Sequence, residues 1–313
     1  KSVVARRDGQ TEHAIYHTAA VWHNAIQEAR VFGPGIVESE GRIFFEGMTY
    51  SNHAQAYESL GKAYPIVPSA EYLDAELRLL WGYSTGFGTL SDTPCNWGHF
   101  IWTYLLRLAY ESPRLPLLVH QCVPDRFLDW ARRMGFHAFV RGGDGVRVRR
   151  LHVNSVLVHR GADARQTPCV FPDAVHALRY RLGITLPGAR RRRLFVSRRA
   201  SSWRRIANEH EIEKLLTHHG FDTIQLEGMS IDEQLDAIGN AKTIVMPVGG
   251  GSPVTMFAPV DCKIIELGFS QIAALFASAM WADVLGQSYV RVNGTAGEQI
   301  GALNIDRDYT IDP

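Results

Sequence analysis

Leu194-Phe-Val-Ser-Arg-Arg199, with Arg204-Arg-Ile-Ala-Asn-Glu209 behind it, and Val245-Met-Pro-Val-Gly-Gly-Gly-Ser-Pro253 decide how this chain is read. Each begins as a short apolar run of strand character and ends in residues suited to an anion. The first ends in paired arginines, the second in three glycines ahead of a helix start. Guanidinium groups supply forked donors, and glycine lets backbone N–H groups approach a ligand closely. At one end of one sheet they would suit a diphosphate.

Around these stretches the pattern alternates regularly. Residues 194–197, 223–226, 243–247 and 263–267 read as strands, with helices predicted near 209–219, 231–240, 253–257 and 271–285. Strands separated by helices of this length imply right-handed crossovers and a mainly parallel, Rossmann-like sheet. In such sheets the ligand lies beyond the carboxyl ends of the strands, where the segments 197–199, 248–251 and 266–268 all fall. Asn208 is expected to cap the helix that follows, accepting from an amide one turn on while Glu211 reaches back.

Upstream, 185–193 (Thr-Leu-Pro-Gly-Ala followed by Arg190 to Arg193) is the best linker, so the domains are predicted as 1–184 and 185–313, with the tail free to pack back on the first. Apolar residues Phe100, Ile101, Tyr104, Leu105 and Leu108 recur at helical spacing and place Asn96-Trp-Gly-His99 at a helix start. Strands are predicted at 117–119, 137–140 and 151–159, and helices at 124–134 and 173–182. The first ninety residues are the least legible, with only short strand-like runs such as 42–46.

Composition bounds the function. The chain has 313 residues, 46% of them hydrophobic, and a formal net charge of +1, which gives no global field for nucleic acid. Cys95, Cys122, Cys169 and Cys262 lack metal-site or disulfide spacing, which fits a reducing cytoplasm. No apolar run approaches the roughly 20 residues of a membrane span, so membrane contact, at the inner face, is expected to be peripheral at most. The glycine loop is neither the dinucleotide fingerprint nor a P-loop, since no Gly-Lys-Ser/Thr closes it.

Each motif also has a plainer reading: a solvated basic loop for the arginines, a tight turn for the glycines, a surface carboxylate beside Lys263 for Glu266, a structural imidazole for His99. Trp97 and Trp203 flank the candidate sites, but large aromatics more often pack than stack on sugars.

Together these residues resemble the glycosyltransferase 61 family. The likeness rests on Asn96-Trp-Gly-His-Phe100 continuing to Arg107-Leu108, on Phe195-Val-Ser-Arg198 with Arg204 and Asn208-Glu209, on Ser230-Ile-Asp-Glu-Gln234, and on Pro247-Val-Gly-Gly-Gly251. The resemblance implies a GT-B fold, two Rossmann-like domains facing across a cleft, and an inverting transfer from a nucleotide-diphosphate sugar to a glycan or glycolipid acceptor in bacterial cell-surface polysaccharide assembly. It implies no cofactor and no metal. The Asp-x-Asp pattern occurs only as Asp306-Arg-Asp308 in the tail. Arg198, Arg199, Arg204, Gly249, Gly250, Gly251 and Ser252 would then hold the diphosphate, Glu266 the ribose, Asn96 and Trp97 the acceptor, and His99 would be the base. Thr103 stands where many members carry a carboxylate, which leaves His99 the leading base and Asp92 the substitute. A sugar-nucleotide epimerase of similar fold and a noncatalytic glycan-binding protein remain the alternatives.

Overall fold

The computed structural model describes residues 2–7, 10–15, 23–33, 35–44, 71–81, 97–143, 145–154, 158–159, 169–184, 192–202, 204–270, 277–301 and 305–313. Asp92, Asn96, Arg190, Arg191 and Trp203 lie outside them. The chain divides into two compact units, 17–182 and 183–313, and the first sixteen residues group with the second unit rather than the first. Each unit is built on a sheet with helices against it.

The second unit has a six-stranded sheet in the spatial order Asp222–Ile224, Arg192–Val196, Ala241–Pro247, Lys263–Phe269, Ser288–Gln299, Arg307–Thr310. The first five strands run parallel and the last is antiparallel. In chain order the parallel part reads 2-1-3-4-5, a doubly wound sheet whose order reverses between Arg192–Val196 and Ala241–Pro247. Helices Glu209–His218, Ile231–Gly239 and Ala277–Leu285 occupy three connections, and a six-residue 3-10 helix, Ser252–Phe257, the fourth. The sheet's apolar strands are buried, as a parallel sheet requires, and Phe195, Val245, Leu267 and Phe269 join Ile206, Ile212, Tyr309 and Ile311 in one core cluster.

Two strands of this sheet differ from the sequence reading. Ser288–Gln299 and Arg307–Thr310 are missed by periodicity because Gly294 and Gly297 interrupt the alternation. The glycines are there for approach: a Cβ on Gly294 would lie 1.9 Å from the carbonyl oxygen of Thr310. The tail is therefore a strand of its own unit.

Helix Ile231–Gly239 opens with a complete capping box. Ser230 Oγ accepts from Glu233 N at 3.3 Å, and Glu233 Oε2 accepts from Ser230 N at 2.7 Å. Those contacts hold the Glu233 carboxyl below its ordinary 4.5. A depressed folded value means that the contribution is present above 4.5 and lost as pH falls through the lowered value. Ser230→Ala should cost about 1 kcal/mol at pH 7 in urea unfolding. The difference between the two proteins should shrink below pH 4.5; a gap that stays constant with pH would remove the box from the account.

The first unit is not a purely parallel Rossmann-like sheet. Its seven strands lie in the order Arg42–Phe44, Ile36–Ser39, His23–Phe32, Val146–Asn154, Glu71–Trp81, Leu117–His120, Phe139–Gly142. The last four are mutually parallel, and the first three add an antiparallel meander. This meander is built from the region the sequence leaves unread. Helices Asp125–Arg133 and Pro172–Arg181 fall near their predicted places, the latter with proline at its first position.

Candidate functional site

At the reversal of strand order in the second unit, two carboxyl ends lie side by side. Strand Arg192–Val196 leads into Ser197-Arg198, and Ala241–Pro247 leads into Val248-Gly249. Arg198 crosses from one to the other: Nη1 donates to Val248 O at 3.1 Å and Nη2 to Ser201 Oγ at 3.0 Å. The guanidinium lies directly over Gly249, where a Cβ would sit 1.2 Å from Nη1. Gly249 has φ +156° and is the residue that makes room for Arg198. Sequence reading brings these two loops to one site, and the structure specifies the contact.

Both Arg198 Nε and Arg204 Nε are buried without a hydrogen-bond partner among the described residues. A buried guanidinium with an unmet donor is rare, since it gives up hydration without replacing it. Burial and the neighbouring Arg204 pull the Arg198 pKa down to about 10, which leaves it charged at neutral pH. Burial also lowers Arg204, opposed by Asp306 and Tyr309. Two neighbouring cations with two N–H groups unsatisfied among the described residues, at a switch point, form a site suited to an anion.

The glycine loop is held from below. Gly249 N donates to Ser252 Oγ at 3.0 Å, and Ser252 Oγ donates to Glu266 Oε1 at 3.2 Å. Gly250 and Gly251 are half-exposed turn residues ahead of the 3-10 helix. Gln234, buried, donates from Nε2 to Leu226 O and Met229 O, both at 3.1 Å, and so pins the turn whose Leu226 touches the Cβ position of Gly251. Ser197 Oγ donates to Glu209 Oε1 in a buried pair that staples the strand end to the helix start.

Several expected contacts are placed differently. Arg199 turns outward to Glu213 on helix Glu209–His218. Ser252 is buried and serves the loop rather than offering itself to a ligand, and its six-residue 3-10 helix aligns too few peptide dipoles to count as a strong positive end. Glu266 lies inside its strand, not at the end, because pairing with Ser288–Gln299 extends the strand to Phe269. It is 0% exposed and accepts from Ser252, from Ser278 Oγ at 2.7 Å and from Tyr289 OH at 2.7 Å. A ribose cannot reach it there. Asn208 makes no side-chain cap. Its amide pairs with the backbone of Ile311 instead, Nδ2 to O at 2.7 Å and N to Oδ1 at 3.1 Å. Arg193 is tied to His219 O at 2.9 Å and Arg192 to Asp222 at 3.6 Å, so this half of the arginine run serves its own domain.

In the first unit, Trp97–His99 open a helical segment that passes into a π-helix, Phe100–Leu105, and ends as a 3-10 turn, Leu108–Tyr110. Trp97 packs on Phe127 and Trp130, ring centroids 4.9 and 5.5 Å away. That is the packing reading of this aromatic. His99 is partly exposed, its ring 5.9 Å from Trp102, edge-on. Thr103 is buried in the π-helix with Oγ1 unsatisfied, so no carboxylate stands behind His99 at that position. π-Helical turns of this kind recur at functional sites.

What sequence reading missed are the supports Ser201 and Asp308, and the bond to Ser197 that gives Glu209, already part of the quoted motif, its place. Asp308 drew attention only through the Asp-x-Asp pattern, and it pairs with Arg205, Oδ2 to Nη2 at 2.7 Å and to Nε at 3.0 Å. Among the described residues no three His, Cys, Asp or Glu side chains cluster as a metal site. No helix among them is long and apolar enough to cross a membrane.

No curated protein matches the sequence significantly. A family model described as Glycosyltransferase 61 matches residues 97–265, just over half of the chain, and the match takes in His99, Arg198, Arg204 and Gly249 to Gly251. The chain with this arginine-and-glycine switch point belongs to the glycosyltransferase 61 family.

Proposed function

We propose that the protein is an inverting, metal-independent glycosyltransferase of GT-B type, moving a sugar from a nucleotide-diphosphate donor to a glycan or glycolipid acceptor of the cell surface. The observation that carries this reading is the pair of part-buried guanidinium groups, Arg198 and Arg204, whose Nε donors are buried and unsatisfied among the described residues, with Arg198 lying over Gly249. As the glycosidic bond to the diphosphate breaks, negative charge grows on the leaving oxygen. Fixed cations already placed there stabilise that charge with no reorganisation at the moment of reaction. They would do so without a metal ion.

In this reading His99 is the base. It removes the proton of the acceptor hydroxyl while that oxygen attacks the anomeric carbon from the face opposite the diphosphate. A site in the cytoplasm, at the inner face of the membrane when the acceptor is a lipid-linked glycan, supplies both substrates.

A thermal-shift screen over nucleotide sugars identifies the donor, since a ligand bound to the native state at 100 times its Kd adds about 2.7 kcal/mol. His99→Ala should keep the donor's shift and lower transfer by about 100-fold or more. Transfer at the normal rate would remove His99 as base, and full activity in excess chelator is expected throughout. Turnover of donor with no acceptor present would favour an epimerase instead.

A further inference from the structure

Arg204 is one of four non-glycine residues in the described chain with positive φ, at +58°. A long side chain avoids that region because its Cβ crowds the carbonyl, and it stays there only when its neighbours are fixed. Its neighbours are fixed by the tail. Arg205 N donates to Asp308 Oδ1 at 2.9 Å, and the Arg205 guanidinium holds Asp308 Oδ2. Tyr309 N donates to Arg205 O at 3.0 Å and Ala207 N to Tyr309 O at 2.7 Å, while Ile206 bridges Tyr309. One residue on, the Asn208 amide makes two bonds to Ile311. Residues 205–208 are thus tied to the tail by a single parallel β-bridge at Ile206 and the bonds around it, and the turn carrying Arg204 is clamped at one end.

The other end is clamped by Arg198 and Ser201, the bond between them closing the turn at 3.0 Å. Tyr309 anchors the tail in turn. It is buried, its OH donates to Leu267 O at 2.9 Å, and its ring lies 5.3 Å from Phe269. None of these tail residues lies in the segment matched by the family model, which ends at 265.

We propose that the tail strand Arg307–Thr310 is a positioning strap for the diphosphate site: by pairing with residues 205–208, Asp308 and Tyr309 hold Arg204 in its left-handed conformation and so aim its guanidinium beside that of Arg198. The strap rests on the reading of Arg198 and Arg204 as diphosphate ligands. Its contribution is geometric. Arg205 and Asp308 are part-exposed, so the attraction between them is screened, and the backbone pairing does most of the holding.

The test is calorimetric titration of the full chain with inorganic pyrophosphate, together with thermal unfolding of each variant. Asp308→Ala should bind about tenfold more weakly, equivalent to about 1.4 kcal/mol, and Asp308→Asn, which keeps an acceptor for Arg205 N, about threefold more weakly. Ile238→Val removes one buried methyl from helix Ile231–Gly239, away from the tail and the arginine loop, so it should lower Tm and leave pyrophosphate affinity unchanged. Wild-type affinity in Asp308→Ala overturns the strap, as does equal weakening in Ile238→Val, which would make the effect one of general stability. If Asp308→Ala fails to fold, Asp308→Asn and Arg205→Gln carry the same comparison. Wild-type chain that binds no pyrophosphate overturns the donor reading, and the strap with it. Binding that Arg198→Met loses and Asp308→Ala keeps overturns the strap alone.

Discussion

Arg198→Met is expected to cut sharply the thermal shift given by pyrophosphate or a donor sugar nucleotide, and to leave the unliganded protein about as stable as the wild type. The two halves of this result have one cause. Arg198 is a part-buried cation with its buried Nε unmet, a second cation beside it, and no carboxylate within ion-pair distance among the described residues. Replacing a poorly compensated buried charge by an apolar side chain of similar length is often neutral or stabilising, by about 1–4 kcal/mol where the charge was costly. For ligand binding the sign reverses. A charge-assisted hydrogen bond contributes about 1.5–3 kcal/mol, so losing the guanidinium should weaken diphosphate by about 10- to 100-fold. Gly249→Ala should lose binding in the same way, because its Cβ occupies the place of Nη1. In the Arg198→Met background it should add little, since the atom it displaces is gone. A variant at 198 that is clearly destabilised yet binds donor normally would contradict the assignment on both counts.

Glu266→Ala should be the most damaging single change to the fold of the second unit. Three hydroxyl donors, from Ser252, Ser278 and Tyr289, converge on this one buried carboxyl group. Truncation leaves all three without an acceptor and opens a void, and each buried unsatisfied group costs about 1–3 kcal/mol. A loss of about 4 kcal/mol or more in urea unfolding follows. Glu266→Gln keeps one oxygen but turns an amide donor toward a hydroxyl, and about half that loss is expected. Because Ser252 also receives Gly249 N, the damage should spread to the glycine turn. Glu266→Gln should therefore weaken pyrophosphate binding although the residue cannot touch the ligand. A stability loss of under about 1 kcal/mol in Glu266→Ala would show that the three hydroxyls find other acceptors.

The tyrosines nearby respond to the same carboxyl group. Burial and the adjacent Glu266 push Tyr289 well above its ordinary range, and burial does the same to Tyr309, so both remain protonated donors at any pH where the protein folds. This suits the hydroxyls that surround Glu266: each donates to the carboxyl group without bringing a further charge into the core.

The alternation of apolar runs and helices from Leu194 onward was legible because a parallel sheet buries both faces of its strands, and that burial demands continuous apolar residues such as Ile244, Val245 and Met246. The meeting of Arg198 and Gly249 was legible for a related reason: both follow strands of one parallel sheet, so their loops fall at the same edge. The roles of Arg199, Ser252, Glu266 and Asn208 were not. Each has a side chain that suits a ligand and suits a neighbour equally well, and only the neighbours at hand decide: Glu213 for Arg199, Gly249 and Glu266 for Ser252, three hydroxyls for Glu266, Ile311 for Asn208.

The sequence alone determined the parallel sheet of the second unit, the arginine and glycine loops at its carboxyl ends, and the family. These follow from local pattern, where the period of apolar residues and the chemistry of a few side chains are written directly. The tertiary structure alone decided that the tail returns as a strand to hold Arg204, that Gly249 is empty because Arg198 fills its place, and that the meander of the first unit joins a parallel sheet. Those depend on contacts between residues far apart along the chain, such as 205 with 308, and such pairings leave no periodic trace in either partner.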